Sequence, residues 1–91
     1  MPFMLTRLNV GDYDTWKAMF DMDEPGARRD AKSYRILRGV ENPGEVTILV
    51  EFDSEADARA GQERLLASGV LDRFSDKDPP KLVEEAASRT Y

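Results

Sequence analysis

Residues 9–20 read N-V-G-D-Y-D-T-W-K-A-M-F. A β-strand runs into Gly11, which breaks it, and Asp12 stands where a helix cap belongs. At 100° per residue Tyr13, Trp16 and Phe20 fall within an arc of roughly 60°, the apolar stripe of a short helix. That helix is predicted over Tyr13–Met22, with an acidic first turn suited to its dipole. Glu24-Pro25-Gly26 stops it. The decisive feature is therefore a strand that passes directly into an aromatic-faced helix.

Upstream, residues 3–10 make the strand. Phe3, Leu5, Arg7 and Asn9 share one face; Met4, Thr6, Leu8 and Val10 share the other. Downstream, residues 32–40 and 45–52 read as two strands joined at Asn42-Pro43-Gly44, where Pro then Gly fit the centre of a type II turn. Pairing Val40 near Glu45 or Thr47 sets Ser33, Arg35 and Leu37 on the apolar face with Val46, Ile48, Val50 and Phe52. It leaves Tyr34, Ile36 and Arg38 on a mixed face with Thr47, Leu49 and Glu51. Ser54 opens a capping box with Asp57 at its third position. A second helix runs to Ser68 and stops at Gly69, with Ala58, Gly61, Gln62, Leu65 and Leu66 turned inward. Val70–Phe74 adds a helical turn, and residues 76–80 form a loop closed by Pro79-Pro80. Residues 81–91 favour helix by propensity around Glu84–Ala87. They are assigned to a fourth strand because the sheet needs one.

The order is β-α-β-β-α-β. This predicts an α+β, ferredoxin-like fold in one domain over residues 1–91, with a four-stranded antiparallel sheet and both helices on one face. The other face would carry Ile36 and Leu49, with Met4 and Leu8 as further candidates. An apolar face of that kind calls for a second copy, so a homodimer is expected. A chain of 91 residues buries only about 60–65% of its unfolded surface alone, which also favours a partner subunit.

The chain carries a net charge of −5 and contains neither Cys nor His. So acidic a protein without a basic patch is not a nucleic-acid binder. Lacking Cys and His, it has no thiolate, no imidazole base, no Cys ligand for zinc or an iron–sulfur cluster and no proximal His for haem. No metal and no cofactor are expected. D-M-D-E-P-G after the first helix matches the start of a calcium loop, but Pro25 and Lys32 stand where ligands belong. No signal peptide or membrane span is legible, and the absence of Cys fits a reducing, cytoplasmic location.

The segments G-D-Y-D-T-W-K-A-M-F, S-Y-R-I-L-R and N-P-G-E-V-T-I-L-V-E-F-D-S resemble the dimeric α/β-barrel superfamily. The likeness is to its small members, related to antibiotic-biosynthesis monooxygenases and often labelled hypothetical or cyclase-like. It implies two ferredoxin-like subunits joined through their sheets, each with a ligand site between sheet and helices. The haem-degrading branch uses an axial His that this chain lacks. That branch also carries an Asn on the first strand, where this chain has Arg7, with Asn9 two residues on. The quinone-forming monooxygenases use no metal or flavin. Asn, Trp, Tyr or Arg groups hold an electron-rich phenolate near oxygen, and that branch needs nothing this chain lacks.

The candidate substrate-binding residues are Arg7, Asn9, Tyr13, Trp16 and Gln62. Trp16, with Tyr13 and Phe20, is either core or the wall of a cleft, and one residue can serve as both. Arg7 and Asn9 either emerge into water at the strand end or form a cleft mouth for an anionic oxygen. Gln62 is the weaker candidate. No catalytic residue is assigned. Two functions are open: a cofactor-independent monooxygenase or cyclase for a small aromatic or polyketide-like molecule, and a non-catalytic dimeric ligand-binding or accessory domain.

Overall fold

The computed structural model describes residues 1–91. The elements follow in the order β1 (Pro2–Asn9), α1 (Tyr13–Met22), β2 (Ala31–Arg38), β3 (Glu45–Phe52), α2 (Glu55–Ser68), a 3-10 turn at Val70–Arg73, and β4 (Lys77–Glu84). All strand pairs are antiparallel, and the sheet order is β2-β3-β1-β4. This is the ferredoxin-like α+β arrangement expected from the sequence.

Local chemistry sets the helix ends. Asp12 has extended backbone angles, and its carboxylate accepts hydrogen bonds from the Thr15 backbone N–H and hydroxyl. These bonds favour the charged form and hold the Asp12 pKa below the usual carboxylate value. Ser54 accepts from the Asp57 N–H at 3.1 Å. α2 ends on Gly69 at φ 72°, whose N–H donates back to Leu66, a left-handed exit that glycine makes without a Cβ clash.

The core lies between the sheet and the helices. Met4, Thr6 and Leu8 of β1 are buried with Val46, Ile48, Val50 and Phe52 of β3, because Met4 pairs with Val50, Thr6 with Ile48 and Leu8 with Val46. Val46 and Phe52 are fully enclosed; a large apolar side chain so placed contributes about 1.5–3 kcal/mol.

Several expectations are corrected. Met4 and Leu8 lie beneath the helices, not on the uncovered face. In β2, Tyr34 pairs with Val50, Ile36 with Ile48 and Arg38 with Val46. Ile36 therefore joins the helix side, and Arg35 and Leu37 share the open face with Leu49. The connection over residues 39–44 sets this register, and it is longer than the tight turn assumed from Pro-Gly. Glu45 N–H does donate to the Asn42 carbonyl at 3.0 Å. Gly44, however, is not among the positive-φ residues, so the turn is not type II. Finally, β4 begins at Lys77 and includes Pro79 and Pro80, while residues 85–91 have no regular structure. β4 is an edge strand, where proline is tolerated because no outer neighbour needs its N–H. The pairing with β1 shifts register between Leu5 and Arg7 opposite these prolines.

The two helices sit at different heights. α2 lies close to the sheet because its inner residues, Ala58 and Gly61, are small and buried. α1 stands further off, resting on Trp16 and Phe20. The space beneath α1 becomes a cavity.

Candidate functional site

The cavity has a volume of about 90 Å³. Its floor is the sheet, at Met4, Thr6, Leu8, Ile48 and Val50. Trp16, Met19 and Phe20 of α1 form one wall; Leu65 of α2 with Val70, Leu71 and Phe74 forms the other. The rim carries the charges, Asp23, Glu24, Arg28 and Arg73.

The aromatic stripe of α1 is continuous. Ring centroids lie 5.8 Å apart for Tyr13 and Trp16, and 5.0 Å for Trp16 and Phe20. Tyr34 meets Phe20 edge-on at 5.1 Å. Only Trp16 and Phe20 of this row line the cavity. Tyr13 sits outside it under the Arg38 guanidinium, 4.3 Å from its ring centroid. Trp16 is thus both core, at 6% exposure, and cavity wall.

The rim is ordered by the chain leaving α1. Asp23 adopts the left-handed conformation at φ 44°, and its carboxylate accepts from the Arg28 backbone N–H at 3.2 Å. The Arg28 guanidinium lies 3.6 Å from Asp23, donates to the Phe20 carbonyl and stacks 3.7 Å over the Phe20 ring. Asp23, the third residue of the calcium-like motif, is therefore engaged by a cation of its own chain, as Asp21 is by Lys17.

The polar residues expected beside Trp16 lie elsewhere. Arg7 is on the opposite face of the sheet, because alternation turns it away from Thr6 and Leu8. Its Nε lies 2.9 Å from Asp78, its Nη2 2.8 Å from Asp76 and its Nη1 3.5 Å from Glu45. The hydrogen bonds to Asp78 and Asp76 raise its pKa still further above the ordinary arginine value, and Arg7 in turn lowers that of Asp76. Asn9 serves the turn after β1, where its Oδ1 accepts from the Gly11 N–H at 3.2 Å. Gln62 donates to the Pro80 carbonyl at 2.8 Å and ties α2 to β4. The structure therefore does not bring Arg7, Asn9 and Gln62 to Trp16. The polar side chains that line the cavity are Thr6 and the rim residues Asp23, Glu24, Arg28 and Arg73, and none of them is among the expected substrate-binding residues. Thr6 carries one usable signal, a hydroxyl between Met4 and Leu8 on the most apolar face of β1. Arg73 carries none, since its place depends on the docking of the 3-10 turn.

No family model matches the chain, and no curated protein matches it significantly. Three solved structures superpose over nearly its full length. A provisionally named antibiotic biosynthesis monooxygenase from Deinococcus radiodurans has a TM-score of 0.69 at 12% identity, covering 100% of this chain and 98% of its own. One of the same description from Nitrosomonas europaea gives 0.65 at 16% identity, with coverage of 96% and 100%. A third, from Bordetella bronchiseptica, gives 0.62 at 14% identity, with 97% of each chain covered. The chain shares their fold. At such identities the likeness speaks for the fold alone. It agrees with the resemblance read from the sequence, and these neighbours match this chain in length.

Proposed function

We propose that this protein is a homodimer of ferredoxin-like subunits that binds a small, flat, mainly apolar molecule under Trp16 and oxygenates it without a metal or organic cofactor. The carrying observation is the cavity of about 90 Å³ between α1 and the sheet, apolar within and charged only at its rim. Concave, mostly apolar sites with a few polar groups are where small molecules bind. The neighbours' names supply the reaction class. In such a reaction the substrate provides the electrons: a ring hydroxyl ionises, the phenolate reduces dioxygen, one oxygen atom replaces hydrogen on a ring carbon to give a quinone carbonyl, and the other leaves as water. The protein has to hold the ring, favour its anion and exclude water. The aromatic wall and the enclosed apolar interior suit the first and last of these tasks, and the Thr6 hydroxyl is the donor placed to favour the anion.

Dimerisation is supported by the uncovered sheet face, where Phe3, Leu5, Leu37, Leu49 and Val83 gather by register. Leu37 is 54% exposed there. No helix is long and apolar enough to cross a membrane, and a chain without Cys suits the cytoplasm.

The test is oxygen uptake with a panel of single-ring and fused-ring phenols, followed by mass spectrometry under oxygen-18 gas. Protein-dependent uptake with label in the product supports the oxygenase. Binding without uptake supports a second reading, a non-catalytic ligand-binding domain. One observation favours that reading: the inner wall of the cavity holds no acid or base.

A further inference from the structure

The geometry points to a specific ligand chemistry for the cavity, a single-ring acid whose ring hydroxyl meets Thr6 at the floor and whose carboxylate meets Arg73 at the mouth. This inference rests on the binding reading above and narrows it.

Thr6 is 4% exposed at the centre of the sheet. No side-chain hydrogen bond of the chain involves its hydroxyl, yet no fully enclosed side-chain nitrogen or oxygen lacks a partner. The hydroxyl is therefore open to the cavity. A hydroxyl that faces the cavity without a protein partner can bond to a ligand hydroxyl that takes the place of water there.

Four charged groups stand at the mouth. Arg28 and Asp23 are committed to each other and to α1. Arg73 has no carboxylate within ion-pair distance; its guanidinium contact is the neutral Met19 sulfur at 3.5 Å. Glu24 has no cation partner either, and it opposes an incoming anion. Arg73 is thus the rim cation still free to bind an acid, on the same cavity as Thr6 and at its opposite depth.

Size limits the ligand to one ring. A cavity of about 150 Å³ takes benzene, and this one, at about 90 Å³, admits a ring only as the mouth yields. Met19 is 39% exposed there, and its unbranched thioether is the side chain best suited to move aside. The para isomer is the probe of choice because it sets its hydroxyl and carboxylate farthest apart on the ring.

Trp16 emission, titrated with 4-hydroxybenzoate, benzoate and phenol, reads the site directly. 4-Hydroxybenzoate should bind about tenfold or more tightly than phenol, the scale of one charge-assisted hydrogen bond. Arg73→Gln should abolish that advantage and leave phenol unchanged. Glu24→Gln should tighten both acids and not phenol. Thr6→Val should make 4-hydroxybenzoate bind like benzoate, and Thr6→Ser should keep the difference, which separates the hydroxyl from packing. If phenol binds but Arg73→Gln leaves the acid preference intact, or Thr6→Val leaves the hydroxyl preference intact, the two-ended assignment is overturned while the cavity reading stands. If none of the three probes binds, both fall.

Discussion

Gly61 of α2 faces the carbonyl oxygen of Ala27 so closely that a Cβ at position 61 would lie 2.6 Å from it, and 3.0 Å from the Phe52 ring. This approach seats α2 against the connection after α1 and against Phe52 of β3, while the aromatic residues of α1 hold that helix away from the sheet. Arg64 fastens the same junction, donating to the Gly26 carbonyl at 2.9 Å. The cavity owes its shape to that difference in height.

Gly61→Ala tests the close approach. Alanine gains about 1 kcal/mol of helix propensity, but the methyl group meets backbone, which cannot swing aside. Overpacking of this kind costs about 1–3 kcal/mol, so the variant should be no more stable than the parent and most often less. Urea unfolding would measure it; a clear rise in stability would show that α2 has slack.

Acid should loosen the β1–β4 edge. Asp76 is held below its ordinary value of 3.8, first by hydrogen bonding to Arg7 and then by the charge of Arg7. A lowered carboxylate pKa gives stability that is present above 3.8 and lost as pH falls through the folded value. Arg7 is shifted the other way, so its contribution fades only at alkaline pH beyond the working range of the protein. Asp76→Asn should therefore flatten the acid limb of a plot of urea midpoint against pH and leave the neutral-to-basic part level. An unchanged acid limb would mean that the Arg7 cluster does not couple to folding.

What was legible in the sequence was local. Asp12, Ser54 and Gly69 mark their helix ends through bonds spanning a few residues, and each does so in the structure. The alternation of β3 is equally direct, with every second residue buried. Where the structure departs from the local pattern, the deciding fact is tertiary. The facing of β2 depends on the course of residues 39–44, and Gly39 packs under Asn42 there. Pro79-Pro80 reads as a loop until β4 is known to be an edge. Arg7 and Trp16 are near in sequence but are divided by the sheet, because the helices cover the Met4–Thr6–Leu8 face.

The open face gives an assembly test. Leu49 lies at its centre, opposite Leu5 and Arg35 in register. The protein should sediment as a dimer at micromolar concentration. Leu49→Asp should sediment as a monomer with its far-ultraviolet circular dichroism retained, because Leu49 does not face the helix-side core. A parent that is already monomeric would contradict the dimer.

The central claim is that the space beneath Trp16 takes a small ring. The most direct measurement is a phenol titration followed by amide and indole chemical shifts in ¹H–¹⁵N spectra. Stacking and a hydrogen bond of about 1 kcal/mol each, added to burial of the ring, place affinity in the micromolar to millimolar range. The account predicts saturable shifts at Thr6, Ile48, the Trp16 indole and Arg73, with Leu49 and Arg35 on the far face undisturbed. Shifts confined to the open sheet face, or none up to millimolar phenol, would contradict it.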